Sequence, residues 1–179
     1  MGKLNEEIAR QVAARGVRRA VETGTLNGES AIRLASIFEQ VDTYELSRLL
    51  ALKSWWNLRA HRNVHLHVGD SRKLLQPSTE PTLYWLDAHW SAGHTAGRTR
   101  ECPLLDELAI TSPGTFGDWY LIDDARLFVN PPPPPHDPAH WPTIMQIRNL
   151  IAELRPDCET VVRDDLDLIL VRPEGVDLA

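Results

Sequence analysis

The stretch Glu22-Thr23-Gly24-Thr25-Leu26-Asn27-Gly28-Glu29-Ser30 decides how the chain is read. Val17 to Glu22, just before it, has the apolar content of a strand. Ile32, Leu34, Ala35 and Phe38, just after it, recur at a spacing that predicts a helix over 30–39. Gly24 permits positive φ and lets a ligand approach the backbone. Gly28 lets the helix begin close to the strand. The free N–H groups of a helix start suit a carboxylate or a phosphate. The turn lacks the GxGxxG spacing of a dinucleotide fold and the Gly-Lys-Ser/Thr ending of a P-loop. Taken alone, it is equally compatible with ordinary strand–helix packing.

Reading outward, Leu4, Ile8 and Val12 predict a short amphipathic helix over 4–14, which Gly16 ends. Further strands are expected at 41–45, 63–68, 82–86 and 119–122. Ser47 is an N-cap for a helix running to about Ala60, and Pro103 fits the first turn of a helix carrying Leu104, Leu105, Leu108 and Ile110. Five consecutive prolines, Pro131 to Pro135, make 130–142 a stiff loop. A helix over 142–154 and a hairpin of 159–163 with 166–172, joined at Asp164-Asp165, complete the chain. Repeating βα units imply one α/β domain, doubly wound around a mostly parallel sheet, with a C-terminal antiparallel hairpin. Residues 1–16 form its N-terminal helix and 17–172 its core.

Composition narrows the classes of function. The chain has 179 residues, 42% hydrophobic and 25% charged, with formal net charge −6, which suits one globular domain and gives no basic stripe for nucleic acid. Arg15-Gly16-Val17-Arg18-Arg19 is too short a cluster to change that. Cys102 and Cys158 have neither disulfide-framework nor zinc spacing, and fit reduced thiols in a cytoplasmic protein. The first residues lack the apolar core of a secretory signal, and no apolar run is long enough to span a membrane. Neither nucleic acid nor a membrane is expected as a partner.

In open α/β sheets ligands bind beyond the carboxyl ends of the strands, so the residues following each strand matter most. Glu45 ends the second strand about 20 residues after the turn, where a carboxylate can accept both hydroxyls of a ribose. Asp70-Ser71 follows the third strand, where polar side chains could meet a base edge. Asp87 follows the fourth strand; Asp123 and Asp124 follow the fifth. Neighbouring parallel strands lie about 4.8 Å apart, so these carboxylates can converge. Unpaired, they would repel. A divalent cation resolves the conflict, and Mg²⁺ prefers such oxygen donors.

With those residues in place, Ala20-Val21-Glu22-Thr23-Gly24-Thr25-Leu26-Asn27-Gly28-Glu29-Ser30 resembles the first motif of class I S-adenosylmethionine (SAM)-dependent methyltransferases. It is most similar to the metal-dependent O-methyltransferases of the catechol and macrocin types, with spacing ExGxxxGxS. The resemblance implies a Rossmann-like, seven-stranded sheet. It places Glu22, Thr23, Gly24, Thr25, Gly28 and Ser30 around the methionine end of SAM, Glu45 on the ribose, and Asp70 and Ser71 near the adenine. Leu86-Asp87-Ala88-His89-Trp90 is similar to the catechol enzyme's Asp-His-Trp segment with Ala88 inserted, and Leu121-Ile122-Asp123-Asp124 matches the second acidic motif. Asp87, Asp123 and Asp124 are then the metal ligands, with Asp87 also beside the cofactor.

The implied reaction is methyl transfer to a hydroxyl of a small molecule of sugar or natural-product type. In the catechol enzymes a lysine stands where this chain has Trp90. His89 and then His94 are the substitute bases, since histidine titrates near neutrality. The small-residue stretch 89–97 reads as a movable cover or an ordinary loop. His94 and His136 could instead reach a metal, which would favour zinc or iron. Few residues precede the first strand, so the acceptor pocket is open, completed by a second subunit in a homodimer, or formed by the proline loop. Two other functions fit the same residues: a non-catalytic SAM- or nucleoside-binding module, and a metal-dependent hydrolase.

Overall fold

The structure is a computed structural model that describes residues 4–92, 95–114 and 117–178. Its strands are β1 (Arg19–Thr23), β2 (Gln40–Glu45), β3 (Val64–Val68), β4 (Thr82–Leu86), β5 (Trp119–Asp123), β6 (Cys158–Arg163) and β7 (Leu168–Pro173). They form one seven-stranded sheet in the order β3-β2-β1-β4-β5-β7-β6. The first five run parallel, and β7 lies antiparallel to both β5 and β6. The chain reverses direction across the sheet between β1 and β4, and at that switch point the strand ends leave a crevice.

The helices are α1 (Glu6–Ala13), α2 (Glu29–Ala35), α3 (Arg48–Leu58), α4 (Ser71–Leu74), α5 (Leu104–Thr111) and α6 (Ile144–Leu154). The expected elements are present with ends shifted by a few residues. Asn5 caps α1 and Ser47 caps α3, while Thr143 and Gln146 form a reciprocal capping box at α6. Asp70, expected as a binding residue, caps the short α4 by accepting from Arg72 N. Sequence periodicity gives no sign of this helix, because four residues are too few to show a stripe.

Alternation along the strands divides the core in two. Val21, Tyr84, Leu86, Tyr120, Ile122, Ile169 and Val171 face α5 and α6, meeting Leu104, Leu108, Ile147 and Ile151. Ala20, Leu83, Trp85, Trp119, Leu121, Leu168 and Leu170 face α1 and α2, meeting Ile8, Val12, Leu34 and Phe38. With both faces covered, β4 and β5 carry consecutive apolar residues, Leu83–Leu86 and Trp119–Ile122, rather than an alternation of apolar and polar.

One buried charge network fixes where β4 begins. Asp118 is fully buried, accepts from Ser78 Oγ at 2.9 Å and from Thr82 N at 2.9 Å, and faces Arg155 NH1 at 3.6 Å. Removing the carboxylate strands a buried N–H and weakens the pairing of a buried guanidinium. Asp118→Ala should lower unfolding free energy by about 3 kcal/mol in urea titrations, and Asp118→Asn, which keeps an acceptor, by less.

Candidate cofactor and metal site

At the carboxyl ends of β1, β2, β3 and β4 lies a cavity of about 550 Å³. Gly24, Leu26, Glu45, Asp70, Ser71, Asp87 and His89 line it, and Ser91, Thr95, Gly97, Thr99, Glu101 and Pro103 contribute its far wall. The size suits a nucleoside-bearing ligand.

Glu45 ends β2 almost fully buried, yet its carboxylate is fixed by two backbone donors, Leu26 N at 2.9 Å and Ser47 N at 2.8 Å. Each oxygen keeps a lone pair for a further donor. The turn after β1 is held by Gly24 N and Thr25 N donating to Tyr44 O. Gly24 has φ +90°, and a Cβ there would lie 2.5 Å from the Asp87 carbonyl oxygen. The close approach expected of a ligand is therefore made first by the chain itself, where β4 ends.

The remaining residues of the turn are placed differently from expectation. Glu22, Thr23 and Thr25 are buried beneath the cavity floor, and neither they nor Gly28 and Ser30 line it. Glu22 accepts from Thr43 Oγ1 at 2.5 Å and from Ser30. Thr25 shares a hydroxyl hydrogen bond with Thr43 at 2.6 Å. Gly28, at φ +83°, precedes α2 and lies against Leu58. Asp70 reaches the cavity, but the Arg72 guanidinium holds both of its oxygens, at 2.8 and 2.6 Å.

Glu107 is a residue that motif reading missed. It is fully buried on α5 and accepts from Ser71 Oγ at 2.5 Å and Thr23 Oγ1 at 3.2 Å. Both hydroxyls, expected to point at a ligand, point inward and tie β1 and α4 to α5. Its signal was legible: Leu104, Glu107, Leu108 and Thr111 occupy one helical face.

The acidic cluster lies beside the cavity. Asp87, His89 and Asp124 each present one donor atom, and these atoms lie within 4.8 Å of one another. His89 Nδ1 is 3.4 Å from Asp87 and Nε2 is 3.0 Å from Asp124. Asp123, expected as the third carboxylate of a metal set, is not in this group; His89 takes that place, inserted between the other two acids. Its Nε2 is thus within hydrogen-bond distance of Asp124, while Nδ1 only faces Asp87. His94 lies outside the described residues. Asp123 keeps a buried Oδ2 without a partner.

The charges of this cluster are unevenly answered. Burial, then the charges of Asp123 and Asp124, push the Asp87 carboxyl well above its ordinary range. Burial and the neighbouring Asp124 push Asp123 up to about 6. Burial also works against Asp124, but hydrogen bonds from His89 and Arg126 outweigh it and hold the group at about 2. Asp124 adopts φ 55°, a left-handed conformation that aspartate tolerates better than most residues and that turns its carboxylate toward His89.

Glu101 joins two loops over this corner. Its buried carboxylate accepts from Trp141 Nε1 at 2.9 Å, His136 Nδ1 at 2.9 Å and Asp137 N at 3.0 Å. Its carbonyl accepts from Trp90 N. The proline-rich loop is thereby tied to the cavity wall, and His136 is bound to Glu101 rather than gathered with Asp87 and Asp124.

No protein-family model matches the sequence, and no curated protein matches it. Solved structures do. The O-methyltransferase from Bacillus cereus in complex with S-adenosylhomocysteine aligns with TM-score 0.63 at 17% identity, over 97% of this chain and 82% of that one. TomG, the O-methyltransferase of Streptomyces achromogenes involved in tomaymycin synthesis, solved with SAM, gives 0.62 at 20%, over 98% and 82%. The 23S rRNA methyltransferase ErmE gives 0.61 at 16%, over 100% and 72%. The chain thus has the Rossmann-like fold of the class I SAM-dependent methyltransferases.

The acids beneath the floor set a pH dependence. Burial pushes Glu22 and Glu107 up from 4.5 to about 7. Each binds its proton more tightly folded than unfolded, so its contribution to stability is fullest below pH 4.5, falls as pH rises, and levels off above about 7. Glu107→Gln should remove about 3 kcal/mol of the stability that the wild type loses between about pH 5 and 8, read from urea unfolding at both values.

Proposed function

We propose that the chain is a SAM-dependent methyltransferase that methylates a hydroxyl of a small molecule, with a divalent cation held beside the cofactor. The observation that carries this reading is Glu45: a buried carboxylate, fixed by two backbone donors, opening onto a nucleoside-sized cavity. Glu45 accepts the ribose hydroxyls, the backbone at Gly24 and Leu26 meets the methionine end, and the walls formed by Asp70 and Ser71 enclose the base. Glu22, Thr23, Thr25, Gly28 and Ser30 shape the turn from beneath. When bound, SAM supplies an electrophilic methyl on a sulfonium, so that a C–O bond to the acceptor forms as the C–S bond breaks. The bound ligands of the Bacillus cereus and TomG structures are consistent with this assignment.

The cluster fits a cation. Asp123 carries an orphaned buried oxygen, and Asp87 has no full counter-charge. Asp87, His89 and Asp124 would hold the ion, with Asp123 behind them. A bound cation supplies a positive charge that lowers the pKa of an acceptor hydroxyl. The imidazole in the donor set widens the choice from Mg²⁺ toward Mn²⁺, Fe²⁺ or Zn²⁺. A small acceptor agrees with a cavity of about 550 Å³, most of which a nucleoside-bearing cofactor would fill.

Titration calorimetry should detect S-adenosylhomocysteine binding, and Glu45→Ala should weaken it by at least about tenfold through loss of the charged acceptor. A protein that binds neither SAM nor S-adenosylhomocysteine would refute the proposal. Binding without methyl transfer to any hydroxylated acceptor would favour a nucleoside-binding module instead. Cation affinity should fall as pH drops, because the Asp87 and Asp123 carboxyls, both held above their ordinary range, take up protons that compete with the ion. Asp124→Ala should abolish that binding in equilibrium dialysis.

A further inference from the structure

The largest side chains of α3 point the wrong way for a helix whose only task is to cover a sheet. Ala51, Ser54 and Leu58 face inward, while Leu49, Leu52 and Trp56 recur on the opposite side. Leu49 is 83% exposed, Leu52 68%, Trp56 60% and the adjoining Trp55 53%. Leu46, also exposed, continues the apolar surface to the cavity, whose wall it forms together with Leu50. Contiguous exposure of this kind marks an interaction surface.

The charges carried by α3 and the residues flanking it are all of one sign. Between Glu45 and Asp70 there is no Asp or Glu, yet there are Arg48, Lys53, Arg59 and Arg62, in a chain whose net charge is −6. All four cations are exposed. Arg59 lies over the Trp56 ring at 3.7 Å, so a cation and an aromatic face are presented together.

We infer that this face docks on the surface of an anionic lipid bilayer. Side chains so exposed stand on a ridge, so the partner must supply the space that receives them. A headgroup layer does so without a preformed groove: Leu and Trp enter it, and the flanking Lys and Arg meet lipid phosphates. A symmetric contact with a second copy would bring two patches of the same sign together. Nucleic acid would use the cations and the indoles but leave Leu49 and Leu52 in water. The inference revises the expectation that no membrane is involved. That expectation rested on the lack of a spanning segment, and an interfacial contact requires none. Docking would bring the cavity mouth to the headgroup layer through Leu46.

The test is co-sedimentation of the full chain with vesicles of phosphatidylcholine alone and of phosphatidylcholine mixed with phosphatidylglycerol, with tryptophan emission followed in parallel. Binding to the anionic vesicles, a blue shift and release by salt are expected. Leu49→Ser with Trp56→Ser, and separately Lys53→Glu with Arg59→Glu, should each reduce partitioning more than about tenfold. These positions are exposed, so melting temperature should hardly change. The inference is overturned if the wild type ignores anionic vesicles at low salt, or if both variants partition like it. It is equally overturned if light scattering finds a dimer that the Leu49/Trp56 variant dissociates, or if single-stranded RNA displaces the vesicles. S-adenosylhomocysteine titration of the same samples keeps this outcome separate from that of the proposed activity.

Discussion

Where β4 and β5 end side by side, the chain brings three carboxylates into one partly dry corner, and their mutual repulsion is the constraint that the rest of the site answers. Leu86 pairs with Ile122 in register, so Asp87 and the pair Asp123-Asp124 must emerge together. Parallel pairing leaves no freedom to slide them apart without turning every core side chain to the wrong face. The protein responds with His89 placed between two of the acids and Arg126 against the third side of Asp124. Asp123 is left with an oxygen that no described group satisfies. A corner compensated in this incomplete way is suited to accept a cation, because the residual charge is already assembled and desolvated before the ion arrives.

A second set of acids works in the opposite sense. Glu22 and Glu107 are also buried at the strand ends, but hydroxyls surround them: Thr43 and Ser30 for one, Thr23 and Ser71 for the other. Their burial favours the neutral acid, which both donates and accepts. They join β1, β2, α4 and α5 into a rigid floor. A fixed floor holds Glu45, which opens onto the cavity, in one position. The outward-facing acid is held by backbone N–H groups, and the inward-facing acids are held by side chains.

The sequence made the architecture legible because burial on both faces leaves long apolar strands, and glycines and capping residues punctuate them. It also made legible which positions follow each strand, and these supplied Glu45, Asp87 and Asp124. What it did not reveal was side-chain direction. Thr23 and Ser71 belong to the right turns, yet their hydroxyls go to Glu107, a residue more than thirty positions away in sequence from either. His89 reads as a substitute base because it stands next to Trp90, where the catechol enzymes carry a lysine, and because histidine titrates near neutrality. Only the arrival of Asp124 from another strand occupies its Nε2. Such long-range partners carry no local periodicity, so a motif identifies the position without identifying the partner.

Helix α3 presents the same problem in reverse. Its run of leucines and tryptophans reads as core material, and nothing local says which side is covered. The covering element is the outer part of the sheet, β2 and β3, against which α3 packs, with Ala51, Ser54 and Leu58 its buried residues. Leu49, Leu52, Trp55 and Trp56 remain in water, beside four exposed cations, at a cost in hydration that a folded monomer has no structural reason to retain. Because the stripe begins at Leu46, directly after the carboxylate that opens onto the cavity, an exposed apolar surface and the cavity share a single strand-to-helix turn. Any partner that covers the first is brought to the mouth of the second.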